Sequence, residues 1–251
     1  MEATLIDSMG SDLTVVNAAR VSMDAETSVL DGSDVRLINF LARGMTSGEY
    51  QEMLTAVEEA AQAGDRQALA SLMERYRRTP THWTPFSHVM LQFRMKMPIF
   101  IARQWFRHFT GLTRNEVSRR YVCNPPEMWR PEAWRKAPEG SVKQGSGGPM
   151  DDQRTADSMY RDAVNEAEKA YRNLLGYGAS PEQARAALPQ GMYTTFIETG
   201  SLFAYARICS QRLDDHAQRE IRDLAEWVSD AAGAVAPHSW NALMGHHNGS
   251  V

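Results

Sequence analysis

Cysteine, lysine and long apolar runs are scarce in this chain, and each scarcity removes a class of protein. Only two of the 251 residues are cysteine. Cys123 and Cys209 form neither a Cys-x-x-Cys pair nor a disulfide framework, which implies reducing surroundings, and both read as small buried hydrophobes. No apolar run is long enough to span a bilayer and no leader segment is recognisable, so a soluble cytoplasmic protein is expected. A metal-ligand cluster, a Ser-His-Asp arrangement and the glycine fingerprint of dinucleotide-binding folds are all missing. Lys143-Gln144-Gly145-Ser146-Gly147-Gly148 lacks both the Gly-Lys-Ser/Thr ending and the preceding strand of a phosphate loop. His246-His247 reads as tail rather than as a metal site.

What the chain does have is arginine. It supplies 23 of the 27 basic residues, although the formal net charge is -4. Within a stretch running from His82 to Tyr121, the span from Arg103 to Arg120 holds five arginines (Arg103, Arg107, Arg114, Arg119, Arg120) against one acid, Glu116. Val89, Leu91, Phe93, Met95 and Met97 alternate there with Met90, Gln92, Arg94 and Lys96, the period of a half-buried strand. After Pro98 a helix is expected, with Ile101, Trp105 and Phe109 on one apolar stripe, Arg103 and Arg107 roughly opposite, and Gln104 and His108 between them. It should end near Thr110-Gly111 and leave Leu112 to Tyr121 as a loop or short strand. Guanidinium forks match phosphate oxygens, so this arrangement suits an anion site. Two competing readings are ordinary surface ion pairs and a nucleic-acid surface in which Trp105, Phe106 and Phe109 stack on bases. The sequence pI of about 6.0 argues against the second.

With 43% hydrophobic residues the chain can bury a core, and it is read as one domain, 1–251. ATLID predicts a strand, while DLTVVNAARVSM is ambiguous. Asp34 is expected to cap a helix that stops at Gly44. Residues 47–78 predict two amphipathic helices meeting near Gly64-Asp65, and residues 123–153 a loop rich in proline, glycine and tryptophan. A helix over 152–175 should bury Ala156, Met159, Ala163, Ala167, Ala170, Tyr171 and Leu174. Ser180-Pro181-Glu182 starts a short helix that ends at Pro189, and Tyr193 to Phe196 is extended. Gly200 should break the chain before two further helices, SLFAYARICSQR and LDDHAQREIRDLAEWVSDAAGAVAP.

The order RQWFRH followed by NE-x-S-x-RY resembles the signature of the flavin-dependent thymidylate synthases. That family's pattern is Arg-His-Arg, seven residues, then Ser; here Arg107-His108-Phe109 is followed by eight residues and Ser118. Phenylalanine thus replaces the third arginine, and the interval is one residue longer. Thr81 to His88 resembles the family's H-x-T-P-F-E-H segment, with Ser87 in place of glutamate. Asn17 to Ser22 resembles AAR-x-S, Arg185 falls in AR-x-x-LP, Tyr193 to Phe196 matches YT-x-F, and Arg212 to Ile221 matches R-x-D-x-HAQ-x-EI. Ser201 stands where an asparagine touching the cofactor is frequent.

The resemblance implies an α/β fold (α+β) with a central mixed sheet and helices, 47–78 being a helical insertion. It implies transfer of a methylene group from methylenetetrahydrofolate to C5 of dUMP, with FAD supplying the hydride and NADPH re-reducing it. By the same carry-over, Arg212 contacts the uracil ring, and His82 lies near flavin and substrate. Gln104, Glu116, Ser118, Arg120 and Arg185 hold the nucleotide. Thr84, His88, Arg107, His108, His216 and Gln218 serve the flavin. A homotetramer with shared active sites is implied as well. The altered signature leaves open a dual dUMP/UMP 5-methylase of nucleoside-antibiotic biosynthesis, and also an inactive relative that binds nucleotide and flavin. Phe109 in place of the family's third arginine predicts weaker or altered FAD binding, partly offset by Arg114 from the lengthened interval.

Overall fold

The computed structural model describes residues 1–77, 79, 81–122, 124–138 and 145–245. Cys123 and His246-His247 lie outside the described residues. Four strands, β1 (Glu2–Met9), β2 (Met90–Pro98), β3 (Leu112–Glu116) and β4 (Tyr193–Ser201), form one sheet in the order β1-β2-β4-β3. Ten α-helices among the described residues accompany them, in line with the α/β expectation, but the sheet is antiparallel rather than mixed. The chain divides into two compact units, the first comprising Met1–Ile6, Gln92–Thr199 and Ile208–Val228, the second Asp7–Leu91, Gly200–Arg207 and Ser229–Val251.

In the first unit, the alternation of β2 is real: Phe93, Met95 and Met97 are fully buried. Near one end of the strand Gln92 Nε2 donates to Thr199 Oγ1 at 2.9 Å, and just past the other Ile99 N donates to the Met192 carbonyl at 2.9 Å, so β2 and β4 run antiparallel. Pro98 ends β2 and precedes α5 (Ile99–Trp105). This helix is shorter than its pattern predicts. Ile101 and Trp105 are buried as expected, but Phe109 lies beyond the helix and is 73% exposed. Gly111, with φ +78°, serves the turn into β3 rather than a helix cap.

The long helix α6 (Gln153–Gly176) also turns a different face inward. Val164 and Tyr171 are buried, whereas Met159, Ala163, Ala170 and Leu174 are exposed. It packs on α7 (Pro181–Ala184) and on the 3-10 turn Arg185–Ala187 that follows. β4 is longer than Tyr193–Phe196; it carries Gly200 as a strand residue and gives way directly to α8 (Leu202–Arg212).

In the second unit the ambiguous segment is helical, α1 (Asp12–Arg20). The helix α2 (Gly32–Arg43) begins one turn earlier than Asp34. Its N-cap is Asp31, which accepts from the backbone of Ser33 and Asp34, while the Asp34 carboxylate accepts from Asp31 N in return. Gly44, at φ +73°, closes the helix as expected. The two amphipathic helices are α3 (Ser47–Gln62) and α4 (Arg66–Arg77), packed on each other. After α9 (Arg219–Val235) comes α10 (Pro237–Met244), a further helix that begins where the expected one was to end. Buried Asp12 caps it from a distance, accepting from His238 N at 3.0 Å and Ser239 N at 2.7 Å.

Candidate active site

Two groups of predicted residues assemble in the first unit. The first centres on Arg212, the last residue of α8. Its Nε donates to His108 Nε2 at 3.0 Å, and its Nη2 donates to the backbone carbonyl of Gln104 at 3.0 Å. That carbonyl belongs to the last turn of α5, where main-chain acceptors have no helical partner, so a guanidinium is a natural complement. Nη1 of Arg212 makes no hydrogen bond among the described residues. Burial first, and then the neighbouring Arg107 guanidinium, hold the pKa of Arg212 below its ordinary value.

Gln104 is set from its other end. Glu220 accepts from Gln218 Nε2 at 2.9 Å and from Arg135 Nη2 at 2.6 Å, so the amide of Gln218 presents its oxygen to Gln104 Nε2 at 2.6 Å. The Gln104 side-chain oxygen is left as an acceptor with no partner among the described residues. Burial pushes the Glu220 carboxyl up, but hydrogen bonds from Arg135, its own backbone and Gln218 together bring it below the usual range. His216 belongs to the exposed turn before α9, its Nδ1 3.0 Å from Asp214.

The second group lines a cleft of about 690 Å³. Glu116, Ser118, Arg120 and Arg185 all face it, together with Arg119 and Glu182, which the sequence did not single out; Ile99, Leu188 and Met192 supply apolar wall. Ser118 Oγ accepts from Arg120 Nε at 3.2 Å, and the Thr194 hydroxyl donates to Glu116.

His82, Thr84 and His88 belong to the second unit, in or beside the 3-10 turn Thr84–His88, and all three are exposed. His82 N donates to the Leu41 carbonyl at 2.9 Å, and its ring stacks on Phe40 with centroids 5.7 Å apart.

The arginine cluster divides into two sorts. Arg114 is paired with buried Glu198 and Arg135 with Glu220. Among the described residues, Arg103, Arg107, Arg119, Arg120, Arg185 and Arg212 form no ion pair with a carboxylate. The ion-pair reading therefore fails for most of the cluster, and unpaired guanidinium groups beside a cleft are suited to anionic ligands. Trp105 is fully buried and Arg114 lies over the Phe106 ring at 5.0 Å, so of the three aromatics expected to stack on nucleic-acid bases Phe109 alone, 73% exposed, presents an open ring. Arg114 is itself held inward, which overturns its suggested role as a substitute flavin-site arginine.

Comparison with known proteins decides the family. The profile described as thymidylate synthase complementing protein matches residues 4–238. The chain belongs to this family. Flavin-dependent thymidylate synthase from Thermus thermophilus is 34% identical over 242 residues, covering 96% of this chain and 75% of the relative. The enzyme of the same name from Treponema denticola is 33% identical, covering 91% and 85%. Among solved structures, the UMP/dUMP methylase PolB from Streptomyces cacaoi bound with 5-Br dUMP superposes with a TM-score of 0.75 at 28% identity, covering 97% of this chain and 94% of PolB. The chain is thus an enzyme of the flavin-dependent thymidylate synthase family. Sequence reading gave no role to Glu220 and Arg135, which set the glutamines; the signal for Glu220 was its place in the HAQ-x-EI motif, and Arg135 carried none.

Proposed function

We propose that the protein methylates C5 of dUMP to give dTMP, taking the one-carbon unit from methylenetetrahydrofolate and reducing equivalents from NADPH through FAD. The observation that carries this reading is the guanidinium of Arg212, held by two fixed acceptors, one of them the Gln104 backbone carbonyl, with Nη1 and the Gln104 side-chain oxygen both unengaged among the described residues. A donor next to an acceptor complements a uracil carbonyl and its N3–H. As C5 becomes nucleophilic, charge develops on that carbonyl, and a preoriented donor favours it; one such donor is worth roughly 3–4 kcal/mol.

The cleft with Arg120, Arg185 and Ser118 suits the nucleotide phosphate, and Glu116 suits a sugar hydroxyl. Bound flavin supplies the hydride. Arg107, which has no carboxylate partner among the described residues, fits the flavin phosphates together with His108, while His216 and Gln218 border the ring; the family resemblance also assigns Thr84 and His88 to flavin binding. His82 is assigned a place near flavin and substrate. In our reading the protein is a cytoplasmic homotetramer with shared sites, acting on soluble anionic small molecules. Exposed Met159, Leu174 and Tyr177 along α6, together with exposed Phe109 and Tyr121, support subunit contacts. Analytical ultracentrifugation tests this: a monomer at micromolar concentration is incompatible with shared sites.

A dual dUMP/UMP methylase is the second reading, favoured by the likeness to PolB. A competition assay separates the two. Purified protein receives FAD, NADPH, methylenetetrahydrofolate and equal dUMP and UMP, and products are identified by mass. Methylated dUMP alone supports the first reading and methylation of both the second. Flavin-loaded protein that forms neither product refutes both.

A further inference from the structure

Glu198 has no role in the reading above, yet it is a wholly buried carboxylate in the middle of β4, between buried Phe196 and Gly200. Ion pairs of this kind are a weak source of stability, since apolar side chains of similar volume often serve as well. Its partners suggest another purpose. Trp105 Nε1 donates to both carboxylate oxygens, at 3.0 and 3.3 Å, and Arg114 Nε donates to Oε2. Arg114 then donates from Nη2 to the backbone carbonyl of His108, while its guanidinium carbon lies over the ring of Phe106, which meets Phe196 edge-on at 5.0 Å. Glu198 thereby grips both ends of the segment 105–108: the Trp105 side chain directly and the His108 backbone through Arg114. The flanking groups of the same segment, the Gln104 carbonyl and the His108 imidazole, are the two acceptors that aim Arg212.

We propose that Glu198 is a positioning residue for the methylation reaction, acting through Arg114 and residues 105–108 to set the direction of the Arg212 guanidinium. The inference rests on the reading of Arg212 as the group that meets the uracil carbonyl. It also gives a use to the lengthened interval between His108 and Ser118: the arginine within it braces the site from behind.

Glu198→Gln is the direct test, with Arg114→Lys as a second variant that keeps a cation but cannot span both carboxylate and carbonyl. Turnover per folded molecule should fall roughly 10- to 100-fold, with the nucleotide KM changed less than about threefold. In ¹⁵N spectra, the His108 ring, assigned with His108→Gln, should lose its fixed tautomer in both variants. Added to Arg212→Lys, Glu198→Gln should cost nothing more. Lowered thermal stability with normal turnover and an unchanged His108 ring, in either variant that folds, would make Glu198 a purely structural group and overturn the proposal. So would losses that multiply in the double variant. If the wild-type protein methylates no nucleotide, the functional reading fails, while the His108 spectra still decide whether Glu198 positions this segment.

Discussion

Arg212 and His108 share a single hydrogen bond, Nε–H to Nε2 at 3.0 Å, across 104 positions of sequence. Because a guanidinium only donates, the imidazole accepts on Nε2 and carries its proton on Nδ1. The bond therefore specifies a neutral ring of one tautomer as well as the plane of the guanidinium.

Replacement of Arg212 by lysine removes that plane. An ammonium cannot hold His108, the Gln104 carbonyl and a uracil oxygen together, so turnover should fall by about 10²–10³-fold. Steady-state kinetics with dUMP checks this, and a lysine variant retaining half the wild-type turnover would show that Arg212 is not the electrophilic group.

Arg120 and Arg185 face the same cleft and have no carboxylate partner among the described residues. Alanine at either position should weaken nucleotide binding by about 1.5–3 kcal/mol, the range for a hydrogen bond to a charged group. Calorimetric titration with dUMP and with deoxyuridine discriminates: binding of the nucleoside should be unaffected, and an equal loss for both ligands would place the phosphate elsewhere.

Glu220 gives the fold an acid-sensitive point. Its carboxyl lies below the usual glutamate value of 4.5 in the folded chain, so its contribution to stability is complete above that value and is lost as pH falls through the folded one. In Glu220→Gln, stability should decline less steeply below about pH 4.5 than in the wild type. Parallel urea melts across pH 3–6 provide the comparison; identical slopes would mean that Arg135 and Gln218 do not hold the ionised form.

Cys209 is fully buried, and burial pushes its thiol far above the ordinary cysteine range. It should resist alkylation in the native state, and Cys209→Ala should methylate nucleotide at the wild-type rate. Peptide mapping after iodoacetamide treatment gives the answer: modification of native Cys209 coupled to lost activity would point instead to a thiolate mechanism.

Sequence periodicity carried much of the architecture. The apolar alternation of β2, the paired helices α3 and α4 and the Gly44 stop were all readable, because each depends on one-sided burial or on backbone geometry within a few residues. The same logic misplaced what neighbours decide. Phe109 continues the apolar spacing of α5, yet the helix ends at Trp105 and the ring is exposed. For α6, apolar residues line more than one face, and periodicity could not say that Val164 and Tyr171 turn inward while Met159 and Leu174 do not. Gly200 looked like a break because glycine weakens strands, but β4 runs through it.

What the sequence determined by itself was the chemistry on offer: an arginine-rich segment on an acidic chain, in an order that resembles one enzyme family. Which arginines remain for ligands was decided only by the tertiary structure. Arg114 and Arg120 are six positions apart and of equal charge, but the first meets Glu198 on a neighbouring strand and the second faces a cleft. Pairing of that kind depends on strand order and on which face of β4 each residue takes, and no local spacing encodes a partner 84 residues away.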